Sequence, residues 1–140
     1  MLDIRPFRID DEASVVPLWR DCGLVVPWND PHKDIQRKLA VQPEMFLVAC
    51  LDDVVIGSVM AGTDGHRGWI NYLAVHPAHR RGGIGKRLME EAERLLRLAG
   101  CPKINLQVRS DNAVAIGFYE RIGFKTDEVV SLGKRLEPDE

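Results

Sequence analysis

Apolar residues gather in short continuous runs up to residue 75 and then change to a spacing of three to four. MFLVACL (45–51), VVIGSVMAG (54–62) and WINYLAV (69–75) have strand length and are separated by Asp52-Asp53 and by TDGHRG. Such runs joined by tight turns predict an antiparallel meander. Upstream, DIRPFR (3–8) reads as a short strand that Pro6 confines to a sheet edge, since proline cannot donate to a ladder. Asp10 or Asp11 is placed to cap a helix over DEASVVPLWRDC, with Pro17 splitting or kinking it. GLVVPWNDPHKD is a loop with an exposed Trp28, and Asp30-Pro31 opens a further helix, PHKDIQRKLAV.

After Gly83 the spacing is helical. Ile84, Leu88, Ala92, Leu95 and Ala99 form one buried stripe. Glu90–Arg94 and Glu93–Arg97 are i,i+4 pairs in the favourable order. Gly100 ends the helix and Pro102 follows. KINLQV is another strand, Asp111 or Asn112 caps a helix over AVAIGFYERI, and Gly123 stops it. FKTDEVVSLGKRL then predicts one or two final strands, with EPDE as a frayed tail. Antiparallel strands followed by strand–helix–strand–helix–strand predict an α/β fold: one mixed sheet with helices on both faces.

At 140 residues, 45% hydrophobic and 29% charged, the chain reads as one globular domain spanning 1–140. Cys22, Cys50 and Cys101 are scattered and form no CxxC pair, so neither a metal site nor a disulfide framework is expected, and a reducing compartment fits. With no signal-like N-terminus and no run near the ~20 apolar residues of a membrane span, the expectation is a cytoplasmic protein with no membrane partner. The net charge of −2 gives no reason to expect nucleic acid. Yet from His66 to Met89 there is no acid, while Arg67, Arg80, Arg81, Lys86 and Arg87 are all basic. Such an island on an acidic chain predicts a local anion site.

The island surrounds HPAHRRGGIGKR, a glycine-rich turn opening the long helix. Around Gly82, Gly83 and Gly85 the backbone can approach a ligand closely, and the first-turn N–H groups, including those of Ile84 and Lys86, point at it with the positive end of the helix dipole. Arg80 and Arg81 add forked donors. A pyrophosphate fits these donors; a solvated basic turn is the plainer alternative. A Walker loop would need Gly and Ser or Thr where Arg80 and Arg87 stand, and a dinucleotide fingerprint would need Gly or Ala in place of Leu88.

Leu73-Ala74-Val75-His76-Pro77 followed by Arg80-x-x-Gly83-x-Gly85 resembles the acyl-CoA pyrophosphate motif of the GNAT superfamily of N-acetyltransferases. Asn112-x-x-Ala115 and Tyr119-Glu120-Arg121-Ile122-Gly123-Phe124 resemble its second signature, and the segments PWNDP and DGHRG are similar to those of a small bacterial subgroup, the YpeA type. The resemblance implies a GNAT-like fold: a central, mostly antiparallel sheet with a splayed parallel pair, WINYLAV and KINLQV. It implies acetyl-CoA as co-substrate, no metal, and transfer to a primary amine, either a peptide N-terminus or a small molecule. Backbone N–H groups of Leu73, Ala74 and Val75 would meet the acetyl carbonyl and pantetheine amides, as oxyanion-type donors do. The stretch Arg80–Lys86 would cradle the pyrophosphate, Asn112 would bond the pantetheine arm, and Tyr119 would protonate the leaving thiolate. On pattern alone Asn112 is also an N-cap and Tyr119 also a core residue.

One departure concerns the base. Where relatives that acetylate ribosomal-protein N-termini carry a glutamate, this chain has Gln107, which cannot take a proton. Asp64, His66, Asp30, Glu44 and Tyr72 are the remaining candidates. An α-amine titrates near ~7.8 and a lysine near ~10.4, so neutralising lysine costs roughly 3–4 kcal/mol more at neutral pH. A weak base therefore favours low-pKa amines attacking directly, with no covalent enzyme intermediate. Trp28 and Asp30 could grip a cationic acceptor. A non-catalytic acyl-CoA-binding regulatory module is the alternative, and a homodimer through the last strands fits the same pattern.

Overall fold

The computed structural model describes residues 1–139. Five strands form one sheet in chain order: β1 (Leu2–Pro6), β2 (Phe46–Leu51), β3 (Val54–Thr63), β4 (Gly68–Val75) and β5 (Ile104–Leu106). The first four are antiparallel, and β4 and β5 are parallel. Asp52 and Asp53 both take left-handed φ, 50° and 67°, giving the tight β2–β3 turn. Pro6 sits on the edge strand, as its missing donor requires.

The helices are α1 (Glu12–Asp21), α2 (Pro31–Ala40), α3 (Ile84–Leu98) and α4 (Ala113–Arg121). The strands read as continuous apolar runs because both faces are covered. Phe46 and Val48 pack with Val15, Val16, Trp19 and Ile35 from α1 and α2. Leu47 and Ala49, pointing the other way, join Leu88, Met89, Ala92 and Leu96 of α3, with Phe118 and Tyr119 of α4 alongside.

Three expectations are corrected. Pro17 does not split its helix: α1 is one element, and its buried residues Val15, Val16, Leu18 and Trp19 hold it despite the lost backbone bond. The segment after Gly123 forms no strand among the described residues. It is tied on by side chains instead. Asp127 accepts from Lys103 Nζ (2.8 Å) and Asn105 Nδ2 (3.0 Å), and Gln107 Nε2 donates to the Ser131 hydroxyl. Nor is Asp139 frayed: it pairs with Arg37 at 2.6 Å and accepts from the Asp30 N–H at 2.9 Å.

Candidate active site

The β4–β5 pairing covers only Gly68↔Ile104, Trp69↔Asn105 and Ile70↔Leu106, after which the two strands have no register in common. This is the expected splay, opening toward Leu73, Ala74 and Val75. On the other side of β4 the register with β3 shifts: Met60 faces Asn71 and Ser58 faces Ala74, leaving Tyr72 and Leu73 opposite Val59. That is a β-bulge, and Tyr72 sits in it at φ 52°. A tyrosine in this region is strained and must be held. Trp19 stacks on its ring with centroids 3.8 Å apart, Ser58 Oγ donates to its carbonyl (2.9 Å), and its hydroxyl donates to Asp34 (2.5 Å). Ser58 is itself fully buried and accepts from the Trp19 indole at 2.9 Å.

Beyond β4, His76 caps a 3-10 turn by accepting from the Ala78 N–H, and the chain then swings into α3. Arg81 and Gly83 take φ of 70° and 78°, which turns the loop back on itself. Helix geometry leaves the N–H groups of Ile84, Gly85 and Lys86 without intrahelical acceptors, and the first internal bond runs from Arg87 N to Gly83 O. No acid lies in this first turn. A Cβ at Gly85 would meet the Phe118 ring at 3.3 Å and Val75 Cγ2 at 3.7 Å, so the start of α3, the end of β4 and α4 converge there. Free first-turn donors and basic side chains, on a helix start that only glycine lets pack this closely, fit an acyl-CoA pyrophosphate. Arg80, although exposed, folds back on the end of β4: its Nε donates to the Val75 carbonyl (3.1 Å), which Cys22 Sγ also approaches (3.4 Å).

Asn112 caps α4, accepting from the Ala115 N–H at 3.1 Å. Tyr119 lies about two turns further along the helix, with Phe118 and Phe124 edge-on to its ring. Burial pushes its phenol up to about 12, so it holds its proton. Tyr119, Leu106, Gln107 and Ser131 line one open groove of about 1320 Å³ along the outer edge of β5.

The base candidates are engaged or turned elsewhere. Asp64 accepts from the His66 and Arg67 N–H groups and the Trp69 indole, and these donors hold it down to about 2. His66 is exposed in the same turn. Asp30 caps α2 through the His32 N–H, and Glu44 lies in the 3-10 turn before β2. Trp28 is exposed, but the Arg109 guanidinium already lies 5.7 Å from its ring centre, taking the place expected for a cationic acceptor. Sequence reasoning missed Trp19 and Ser58. Nothing in a continuous apolar run marks its one serine as the hydroxyl that holds a bulge.

Residues 13–124 match the model of the acetyltransferase (GNAT) family. An acetyltransferase of Pectobacterium atrosepticum is 49% identical over 138 residues, covering 99% of this chain and 98% of that protein. Among solved structures, Ard1 from Thermoplasma volcanium is similar with TM-score 0.76 and 27% identity, covering 89% of this chain and 82% of the other. The NatC complex bound to Gag peptide and CoA is similar with TM-score 0.74 and 25% identity, covering 89% and 84%. The bulged and splayed β4, the glycine turn onto α3 and the full-length relatives together place this chain in the GNAT family of acetyltransferases.

Proposed function

We propose that the chain, acting as a single domain in the cytoplasm, moves the acetyl group of acetyl-CoA onto a low-pKa primary amine by direct attack. The observation that carries this is the divergence of β4 from β5 after Ile70, beside an α3 N-terminus whose first N–H groups have no intrahelical acceptor. In this reading Arg81, Gly82, Gly83, Ile84, Gly85 and Lys86 bind the pyrophosphate, with Arg80 bracing the loop against Val75. The amides of Leu73, Ala74 and Val75 bind the acyl arm, and the bulge turns one of them toward the acetyl carbonyl, where it stabilises developing negative charge. Asn112 contributes from the start of α4.

The bond formed is nitrogen to acetyl carbon; the bond broken is sulfur to acetyl carbon. Tyr119, protonated and flanked by Phe118 and Phe124, gives its proton to the departing thiolate. The amine's proton leaves through water, since Gln107 is a neutral amide engaged with Ser131. This arrangement favours α-amines over lysines, whose neutralisation at neutral pH costs roughly 3–4 kcal/mol more.

The test is thiol release from acetyl-CoA with peptides bearing a free α-amine, peptides with only lysine free, polyamines and aminoglycosides, with Tyr119→Phe in parallel. Turnover with the α-amine peptides, falling at least tenfold in the variant, is expected. The amide at Gln107 supports one other reading, a non-catalytic acyl-CoA-binding module. Acetyl-CoA binding without turnover on any amine would favour it.

A further inference from the structure

One face of the sheet lies open beside the splay. On adjacent strands Asn71 stands opposite Met60 and Trp69 opposite Gly62. Residues so placed point to the same side of a sheet, and Met60 is buried in the cluster formed with α1 and α2. Trp69 and Asn71 therefore project toward those helices, yet both are exposed, Trp69 at 37%. The helices leave this part of the sheet uncovered, so an acceptor can reach the splayed backbone from the side opposite α3.

The rim of this opening carries an unanswered charge. The Arg109 guanidinium lies 5.7 Å from the Trp28 ring centre, joining the α1–α2 connection to the chain just beyond β5. Stacking occupies the flat face of a guanidinium and leaves the N–H donors around its edge free. None of them makes a hydrogen bond or an ion pair among the described residues, and Asp111, the nearest acid in sequence, is not paired with it. Other cations on this side are engaged: Arg37 holds Asp34, and Arg135 donates to Asn29 Oδ1 at 2.6 Å. So are the acids. Asp64 accepts from two turn N–H groups and the Trp69 indole, Asp34 from the Tyr72 hydroxyl and Arg37, and Asp30 from the His32 N–H. An acceptor rich in ammonium groups thus meets neither an open ring nor an unengaged acid, whereas a carboxylate meets free forked donors. Arg109 also lines the same groove as Tyr119.

Resting on the acetyl transfer proposed above, we propose that Arg109, braced on Trp28, selects acceptors that carry a carboxylate close to the primary amine, gripping its two oxygens at once. Free amino acids and peptides that begin with an acidic residue both present this chemistry.

NMR titration of the CoA-loaded protein tests this without requiring turnover. Matched probes differ only in charge: alanine against alanine amide, and an amidated peptide beginning with aspartate against the same peptide beginning with asparagine. Wild type should bind the charged member of at least one pair about tenfold or more tightly, and the pair that shows the preference tells the amino acid from the peptide. Arg109→Gln should bind both members alike, and Arg109→Glu should bind the charged member less well than its neutral twin. The side chain is exposed and holds no other residue by a hydrogen bond or ion pair among the described residues, so both variants should fold, which circular dichroism checks. Equal binding of the twins by wild type, binding of neither, or a preference that survives Arg109→Gln overturns the proposal. Thiol release with the same probes keeps the two readings apart. Turnover without charge preference leaves acetyl transfer standing and removes the role of Arg109, whereas a binding preference without turnover does the reverse.

Discussion

The Ser58 hydroxyl donates to the Tyr72 carbonyl at 2.9 Å while accepting from the Trp19 indole at the same distance, so one buried hydroxyl links α1 to the bulge in β4. Tyr72 is the only residue of that strand in the left-handed region, and it and its neighbour Leu73 lie in the splayed stretch that follows Ile70. We expect Ser58→Ala to lose about 1–3 kcal/mol, because it strands the Trp19 N–H and the Tyr72 carbonyl away from water. If the hydroxyl also sets the bulge, kcat should fall while KM for acetyl-CoA changes little. Urea unfolding beside steady-state kinetics separates the two. A destabilised variant with unchanged kcat would reduce Ser58 to a packing role.

Tyr119 makes a pH prediction. Its phenol is raised from about 10 to about 12 in the folded protein by burial. Between those values the unfolded chain gives up a proton that the folded one keeps, so stability declines as pH rises through this window and is unaffected below it. Tyr72 is shifted the same way, first by burial and then by its bond to Asp34. Denaturant midpoints followed into alkali should fall, and Tyr119→Phe should flatten part of the decline. Phenolate absorbance appearing near the ordinary tyrosine value for every tyrosine would contradict it.

The glycine turn offers a matched pair. Gly83 sits at φ 78°, where alanine costs roughly 1–2 kcal/mol. Gly82 is outside that region, and a Cβ there would meet only the His79 carbonyl at 3.7 Å. Gly83→Ala should therefore lower stability and weaken acetyl-CoA binding several-fold, whereas Gly82→Ala should leave stability within about 0.5 kcal/mol of wild type. Calorimetric titration with CoA reads the binding, and equal effects at both positions would count against the loop geometry.

Acid should loosen the N-terminal corner. Arg5 grips Asp11 with two bonds of 2.8 and 3.0 Å, and the Arg8 N–H adds a third at 2.8 Å. The Arg5 hydrogen bond, ahead of the other contacts, holds this carboxyl below its usual 3.8. Its contribution is present above the unfolded value and disappears as pH falls through the lower, folded one. Asp64, held at about 2 by the turn N–H groups, follows the same sign. Asp11→Asn should cost roughly 3 kcal/mol at neutral pH, because Arg5 is left without its partner, and should blunt the acid-side loss. Thermal melts from neutral pH downward would reveal either outcome.

Much of this was legible in short stretches of sequence. The meander and the Asp30 and Asn112 caps depend on near neighbours, and each appears where periodicity and capping chemistry put it, whereas the α3 stripe runs through Leu88, Met89, Ala92 and Leu96, with Ile84 and Leu95 half-buried and Ala99 exposed. The glycine turn likewise announced its motif. What failed was non-local. KTDEVVSLGKR has strand composition, but composition cannot tell whether a segment joins a ladder, and here it is held by side chains instead. Pro17 argued for a split or kinked helix, and α1 runs on unsplit with four buried residues around it. Ser58 and Trp19 lie 39 residues apart, so their bond had no local signature. The Trp28 ring suited a cationic acceptor, and a cation from the chain itself, Arg109, lies over it.

The acidic C-terminal segment is wired to the middle of the sheet. Asp139 holds Arg37, Arg37 holds Asp34 at 2.8 Å, and Asp34 receives the hydroxyl of Tyr72, the strained residue beside the splayed backbone. Three contacts thus separate the Asp139 carboxylate from the amide row at the splay. A segment that reads as dispensable is the outermost link of a tether, and trimming it would slacken a tyrosine in the central strand.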